Sequence, residues 1–120
     1  MRVLVIGAST NPRRTSYQAI EMLQRYGHDV IGIGSKEATV HGVDVVTEHL
    51  KFEDIDTVTL YINPKIQNEY YDYISELKPD RVIFNPGTEN PEFMKSLIEQ
   101  GIKTEEACTL VLLRTGQFTR

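Results

Sequence analysis

Most of what this chain can offer an anion is gathered in one stretch, Gly7-Ala8-Ser9-Thr10-Asn11-Pro12-Arg13-Arg14, followed at once by Thr15 and Ser16. A glycine permits a tight turn and close backbone approach, so that N–H groups can reach a pyrophosphate. Ser9, Thr15 and Ser16 add hydroxyl donors, and Arg13 and Arg14 add guanidinium forks matched to phosphate oxygens. Two adjacent arginines cannot point the same way, so one of the pair is expected on phosphate. The plainer alternative is a solvated loop whose Thr15 or Ser16 simply caps a helix. Three further stretches pair Gly or Pro with hydrogen-bonding residues: Gly34-Ser35-Lys36, Asn63-Pro64-Lys65 and Asn85-Pro86-Gly87-Thr88.

These stretches acquire meaning from the elements that deliver them. Val3 to Ile6 is apolar at every position and ends at Gly7, which suits a central parallel strand covered on both faces. Ala19, Ile20, Leu23 and Tyr26 then recur at helical spacing, with Gly27 as the stop. Val30 to Ile33 is the next strand, completing a βαβ unit. Val43 to Val46 reads as a short edge strand, with Leu50 and Phe52 capping the core. Thr57 to Ile62 is a strand; Asn63 caps a helix with Pro64 at its first position, and Ile66, Tyr70, Tyr73, Ile74 and Leu77 form one apolar face as far as Pro79. Arg81 to Phe84 is a strand, and Phe93, Met94, Leu97 and Ile98 mark a helix stopped by Gly101. Ile102 to Ala107 is a last strand and Leu110 to Leu113 a last apolar helical segment.

Strands alternating with helices along 120 residues imply one α/β domain, residues 1–120: a Rossmann-like, doubly wound, mostly parallel sheet of about five strands with helices on both faces. In such a sheet, ligands bind beyond the carboxyl ends of the strands at the switch point in strand order. All four loops above fall at strand ends. The candidate cofactor-binding set is therefore Gly7, Ala8, Ser9, Asn11, Arg13, Arg14 and Ser16 after the first strand, Gly34 and Lys36 after the second, then Asn63 and Pro64, and Asn85, Pro86 and Gly87.

The loop is not a dinucleotide fingerprint, because Ser9 stands where the second glycine belongs and no third glycine opens the helix. A Gly-x-x-x-x-Gly-Lys-Ser/Thr pattern is missing too, which argues against NTP hydrolysis. An NAD binder would carry Asp or Glu after the second strand to hold a ribose diol. Here Lys36 stands there, favouring a phosphorylated ribose, as in coenzyme A or NADP, unless it is merely solvated.

The Gly7-Ala8-Ser9-x-Asn11-Pro12-x-Arg14-x-Ser16 loop, with Asn63-Pro64, resembles the small stand-alone CoA-binding domain family, related to the cofactor domain of the succinyl-CoA synthetase α-subunit. The resemblance runs from Arg2 to about Phe118. It implies a Rossmann-like sheet that binds coenzyme A with the first loop on the phosphates, Lys36 near the ribose phosphate, and Asn63-Pro64 near the adenine or the start of the pantetheine arm.

Composition bounds the partners. A net charge of −4 argues against bulk binding to nucleic acid or anionic membrane. Cys108 is the single cysteine, so no internal disulfide or cysteine metal site forms, and the chain is read as cytoplasmic. His28, His41 and His49 are scattered without metal-ligand spacing, Cys108 reads as a packing residue, and the tyrosines as packing rather than a stacking platform. Nucleophile, base and oxyanion donor do not assemble, so no catalytic or metal-binding residue is assigned. The expected function is non-catalytic binding of coenzyme A or an acyl-CoA. Its competitors are a small NADP-linked oxidoreductase or redox sensor, with Tyr61 as proton donor, and a protein-interaction module without a nucleotide. A partner enzyme remains open, as does a homodimer through Leu110 to Leu113.

Overall fold

The computed structural model of the chain describes residues 1–119. Its elements alternate as β1 (Arg2–Ala8), α1 (Thr15–Arg25), β2 (Asp29–Gly34), β3 (Ala38–Val40), β4 (Val43–Val46), β5 (Thr57–Leu60), α2 (Pro64–Gln67), a 3₁₀ turn (Asn68–Tyr70), α3 (Tyr71–Leu77), β6 (Arg81–Phe84), α4 (Pro91–Glu99), β7 (Lys103–Glu106) and α5 (Thr109–Arg114). The strands form one sheet in the order β3-β4-β2-β1-β5-β6-β7. Neighbours are parallel except β3, which runs antiparallel to β4. From β1 the chain first winds outward through β2, then returns to β5 on the other side. The switch point therefore lies between the carboxyl ends of β1 and β5.

Both faces of the sheet are covered, as the uninterrupted apolar runs require. Successive strand residues point to opposite faces. Val3, Val5 and Ile83 join Ala19, Ile20 and Leu23 of α1 and Leu110, Leu112 and Leu113 of α5 on one side. Leu4, Ile6, Val58, Leu60, Val82 and Phe84 meet Ile74 of α3 and Phe93 and Leu97 of α4 on the other. Burying each such side chain contributes about 1.5–3 kcal/mol.

The sheet has seven strands where about five were expected, and Val43–Val46 is not its edge. A hairpin folds β3 outside β4, turning at His41 and Gly42, whose φ values of 51° and 80° give the twist a two-residue hairpin needs. The helix expected from Asn63 to Pro79 is interrupted by the 3₁₀ turn. The break rotates the buried face: Ile66 is exposed and Gln67 is fully buried in its place. Lys78, left-handed at φ 49°, ends α3 just before Pro79. Leu50 is exposed, while Phe52 packs on the core as anticipated. Tyr26 and Ile98, read as core-facing, are also exposed. In α5, Leu110, Leu112 and Leu113 are core residues and Val111 is exposed.

Candidate functional site

At the end of β1 the ladder to β2 slips by one residue between Ile6 and Ala8. Gly7 takes the slip with φ +93°, a conformation that L side chains rarely adopt. A Cβ there would also lie 3.0 Å from the backbone carbon and oxygen of Tyr61 and 3.1 Å from the Ile62 side chain. The first residues beyond β5 are thus pressed against β1 at the switch point, an approach only glycine allows. On the other flank, Gly34 pairs with Ala8, and a Cβ on Gly34 would stand 2.4 Å from the Ala8 carbonyl oxygen. Two glycines therefore draw the ends of β1, β2 and β5 together.

The loop that follows is held by its own side chains. Asn11 N–H donates to Ser9 Oγ at 3.0 Å, Arg13 N–H to Asn11 Oδ1 at 3.0 Å, and Arg14 N–H to the Asn11 carbonyl at 3.0 Å. Ser9 and Asn11 shape the loop, and Pro12, Arg13 and Arg14 are exposed on it. The loop delivers α1 with an open N-terminus: Arg14 occupies the N-cap position, no side chain caps the helix, and no acidic residue stands in its first turn. Neither Thr15 nor Ser16 is the cap; Ser16 is buried. By helix geometry the N–H groups of Thr15, Ser16 and Tyr17 have no intrahelical acceptor, and they sit at the positive end of an 11-residue dipole beside two guanidinium groups. An anion suits that place.

The remaining expected residues divide. Lys36 is exposed two residues beyond the Ala8–Gly34 pair, on the same side of the switch point. Asn63 caps α2 as expected, accepting from Ile66 N–H at 3.0 Å, with Pro64 at the first helical position. Asn85 requires correction as a residue whose side chain meets a ligand. It is 1% exposed, and its amide is consumed internally: Nδ2 donates to Thr59 Oγ1 (2.6 Å) and to the Leu60 carbonyl (2.9 Å), and Oδ1 accepts from Thr109 N–H (2.8 Å). It braces β5, β6 and the start of α5. Pro86 and Gly87 are exposed beside it, but the Gly87 N–H donates to the Glu89 carboxylate at 2.9 Å, which places a negative charge where a phosphate would have to sit.

One feature was missed. Gln67 ties the loops after β5 and β6 together, donating to the Ile62 carbonyl (2.9 Å) and the Thr88 carbonyl (2.7 Å) and accepting from Asn90 Nδ2 (3.0 Å). Its position with Tyr71 and Ile74, four and seven residues on, was a helical signal masked by the apolar Ile66. Tyr61, named above as the proton donor of the oxidoreductase alternative, directly follows β5. Its ring packs with Ala107 and Cys108 against the α1–α5 side of the core. Its hydroxyl lies beside Thr59 and Thr109, close enough for theirs to favour the phenolate, yet forms no hydrogen bond of good geometry. Those two hydroxyls are paired with each other at 2.8 Å. Burial dominates and pushes the Tyr61 pKa up to about 12.

Two depressions lie elsewhere, around residues 78–103 and 51–78, toward the amino ends of the central strands. Neither contains a residue of the switch-point loops. We place the site by backbone geometry and helix polarity, because a diphosphate on a helix N-terminus needs amides more than a deep cavity. Among the described residues no helix is long and apolar enough to cross a membrane.

A mostly parallel sheet wound both ways from its switch point, with an open helix N-terminus there, defines a single-domain Rossmann-type α/β protein. The chain belongs to the CoA-binding domain family, whose sequence model matches residues 1–114. It is similar to a solved uncharacterized protein at 47% identity, covering 98% of this chain and 97% of that one with a TM-score of 0.95. A hypothetical protein from Pyrococcus horikoshii OT3 shares 26% identity over 94% of this chain and 81% of its own, with a TM-score of 0.85. A Thermus thermophilus protein at 23% identity shares the fold, covering 98% and 90% of the two chains with a TM-score of 0.86. No curated protein matches the chain.

Proposed function

We propose that the chain binds coenzyme A or an acyl-CoA without transforming it, seating the diphosphate on the uncapped N-terminus of α1. The observation that carries this is the set of Thr15, Ser16 and Tyr17 N–H groups, uncapped and with no acidic residue in the helix's first turn, opening where Gly7 and Gly34 bring three strand ends together. The donor set suits a doubly anionic group. Arg14 or Arg13 neutralises it, Ser9 and Asn11 keep the loop in shape for it, and Ala8 lines its floor. Lys36 serves the ribose phosphate, and the Asn63-Pro64 turn borders the adenine or the start of the pantetheine arm. Membership of the CoA-binding domain family supports the same ligand.

A thermal-shift panel of coenzyme A, acetyl-CoA, NADP, NAD and ADP tests this reading. A ligand present at about a hundred times its Kd stabilises by about 2.7 kcal/mol. Coenzyme A and acetyl-CoA should raise Tm most, and Arg14→Ala and Lys36→Ala should each reduce the shift. A response to NADP alone would favour an oxidoreductase or redox sensor, and no response at all an interaction module. Unchanged coenzyme A affinity in both variants would remove the site assignment.

A further inference from the structure

We propose that the outer edge of β7 is a self-association surface, where a second copy of this chain adds its own β7 antiparallel across a twofold axis and joins two sheets into one. β7 ends the strand order, so its outer row of backbone groups has no neighbouring strand. Lys103 N–H donates to the Asp80 carbonyl and Ala107 N–H to the Phe84 carbonyl, both at 3.1 Å. Alternate residues of a parallel strand point their amides to one side. Lys103, Glu105 and Ala107 therefore turn inward to β6, while Thr104 and Glu106 turn outward to the open edge.

Edges are usually protected by charge, because like charges across a new pair repel. This edge carries both signs in a self-complementary order. Lys103 and Glu105 share one sheet face, where Glu105 pairs with Arg81 at 3.2 Å. Only outward-facing residues can form a hydrogen-bonded pair at the twofold axis. With Thr104 on the axis, each Thr104 exchanges two N–H···O bonds with its copy, and each Lys103 falls opposite the second copy's Glu105. An axis at Glu106 sets that carboxylate against itself. Charge thus selects the Thr104 register and selects a second copy over an unrelated strand. The most exposed large apolar side chain, Ile98 of α4 at 59%, borders the same depression as Lys103, Thr104 and Glu105, and would be covered as well. The other edge, Ala38–Val40, is one residue shorter and carries no charge with which to set a register.

With only four residues per strand the contact is small, and the dimer should depend on concentration. Sedimentation velocity of the full chain across a concentration series is the test, at low and high salt. The wild type should pass from monomer to dimer as concentration rises. Thr104→Pro removes an outward N–H that β6 does not use, a position at which edge strands tolerate proline; it should remain monomeric with an unchanged urea midpoint. Lys103→Glu, at an exposed position, turns two attractive pairs into repulsive ones and should weaken dimerisation by about tenfold at low salt, less at high salt. A wild type that stays monomeric throughout overturns the proposal. So does a dimer that survives Lys103→Glu unchanged, whatever Thr104→Pro does.

Discussion

Replacing Gly34 with alanine tests how tightly the strand ends at the site are drawn together. Contacts under 3.0 Å are essentially never made by real Cβ atoms, and the new methyl would start 2.4 Å from the Ala8 carbonyl oxygen and 3.2 Å from Val45 Cγ1. The Ala8 oxygen is backbone and cannot rotate away, so the ends of β1 and β2 must separate by at least about 0.6 Å. Overpacking of this kind costs about 1–3 kcal/mol, and the backbone entropy saved by removing a glycine offsets about 0.5–1 kcal/mol. The net expectation is about 1–2 kcal/mol of destabilisation, a fall of about 1 M in the urea midpoint. Gly32→Ala is the control in the same strand, because its methyl meets side-chain carbons of Ala8 and Val45 at 3.1 Å and its nearest backbone atom, the Asp44 carbonyl oxygen, lies at an ordinary 3.7 Å. It should stay within about 0.5 kcal/mol of wild type. The separation moves Ala8 and the loop it begins, so coenzyme A affinity should fall in Gly34→Ala and hold in Gly32→Ala. Equal stability in the two variants, or a larger loss in Gly32→Ala, would refute this reasoning.

Tyr61→Phe removes a buried hydroxyl that makes no good hydrogen bond, and should raise stability by about 1 kcal/mol in urea unfolding. With a folded-state pKa near 12 against an ordinary 10, Tyr61 ionises in the unfolded chain before it does in the fold, so its effect on stability is constant below pH 10 and the fold loses stability as pH climbs from 10 toward 12. The variant should lose its part of both the alkaline stability decline and the phenolate absorbance step. Asn85→Ala leaves the Leu60 carbonyl and the Thr109 N–H buried without partners, and should cost about 3 kcal/mol by the same assay. Burial, aided by the nearby N-terminal amine of Met1, lowers the His28 pKa below 6.5. Its unfolded form therefore binds more protons just below pH 6.5, so stability should drop as pH falls through that window. His28→Gln should flatten the slope in a pH series of urea midpoints.

The parallel strands were legible because being buried on both faces demands unbroken apolar runs, as at residues 3–6 and 82–84. The location of the proposed site rests on them, since topology alone puts the loops after β1 and β2 beside one another. Weak local signals failed. The three-residue β3 turns on His41-Gly42 rather than Asn-Gly, and its burial comes from pairing with β4. The break at Asn68–Tyr70 was hidden by Ile66, which suggested a face that tertiary packing gave instead to Gln67. Asn85 looks like a strand-end ligand residue in sequence, yet bracing a buried strand end and greeting a ligand call for the same amide. Only its three internal partners distinguish the two.

Titration of the ¹⁵N-labelled chain with coenzyme A, followed amide by amide, tests the central claim most directly. The Thr15, Ser16 and Tyr17 amides should shift first and furthest, with the Gly7–Arg14 loop beside them, and inorganic pyrophosphate should reproduce the start of that pattern at higher concentration. Shifts confined to the depressions at the amino ends of the strands, with the α1 amides unmoved, would contradict it.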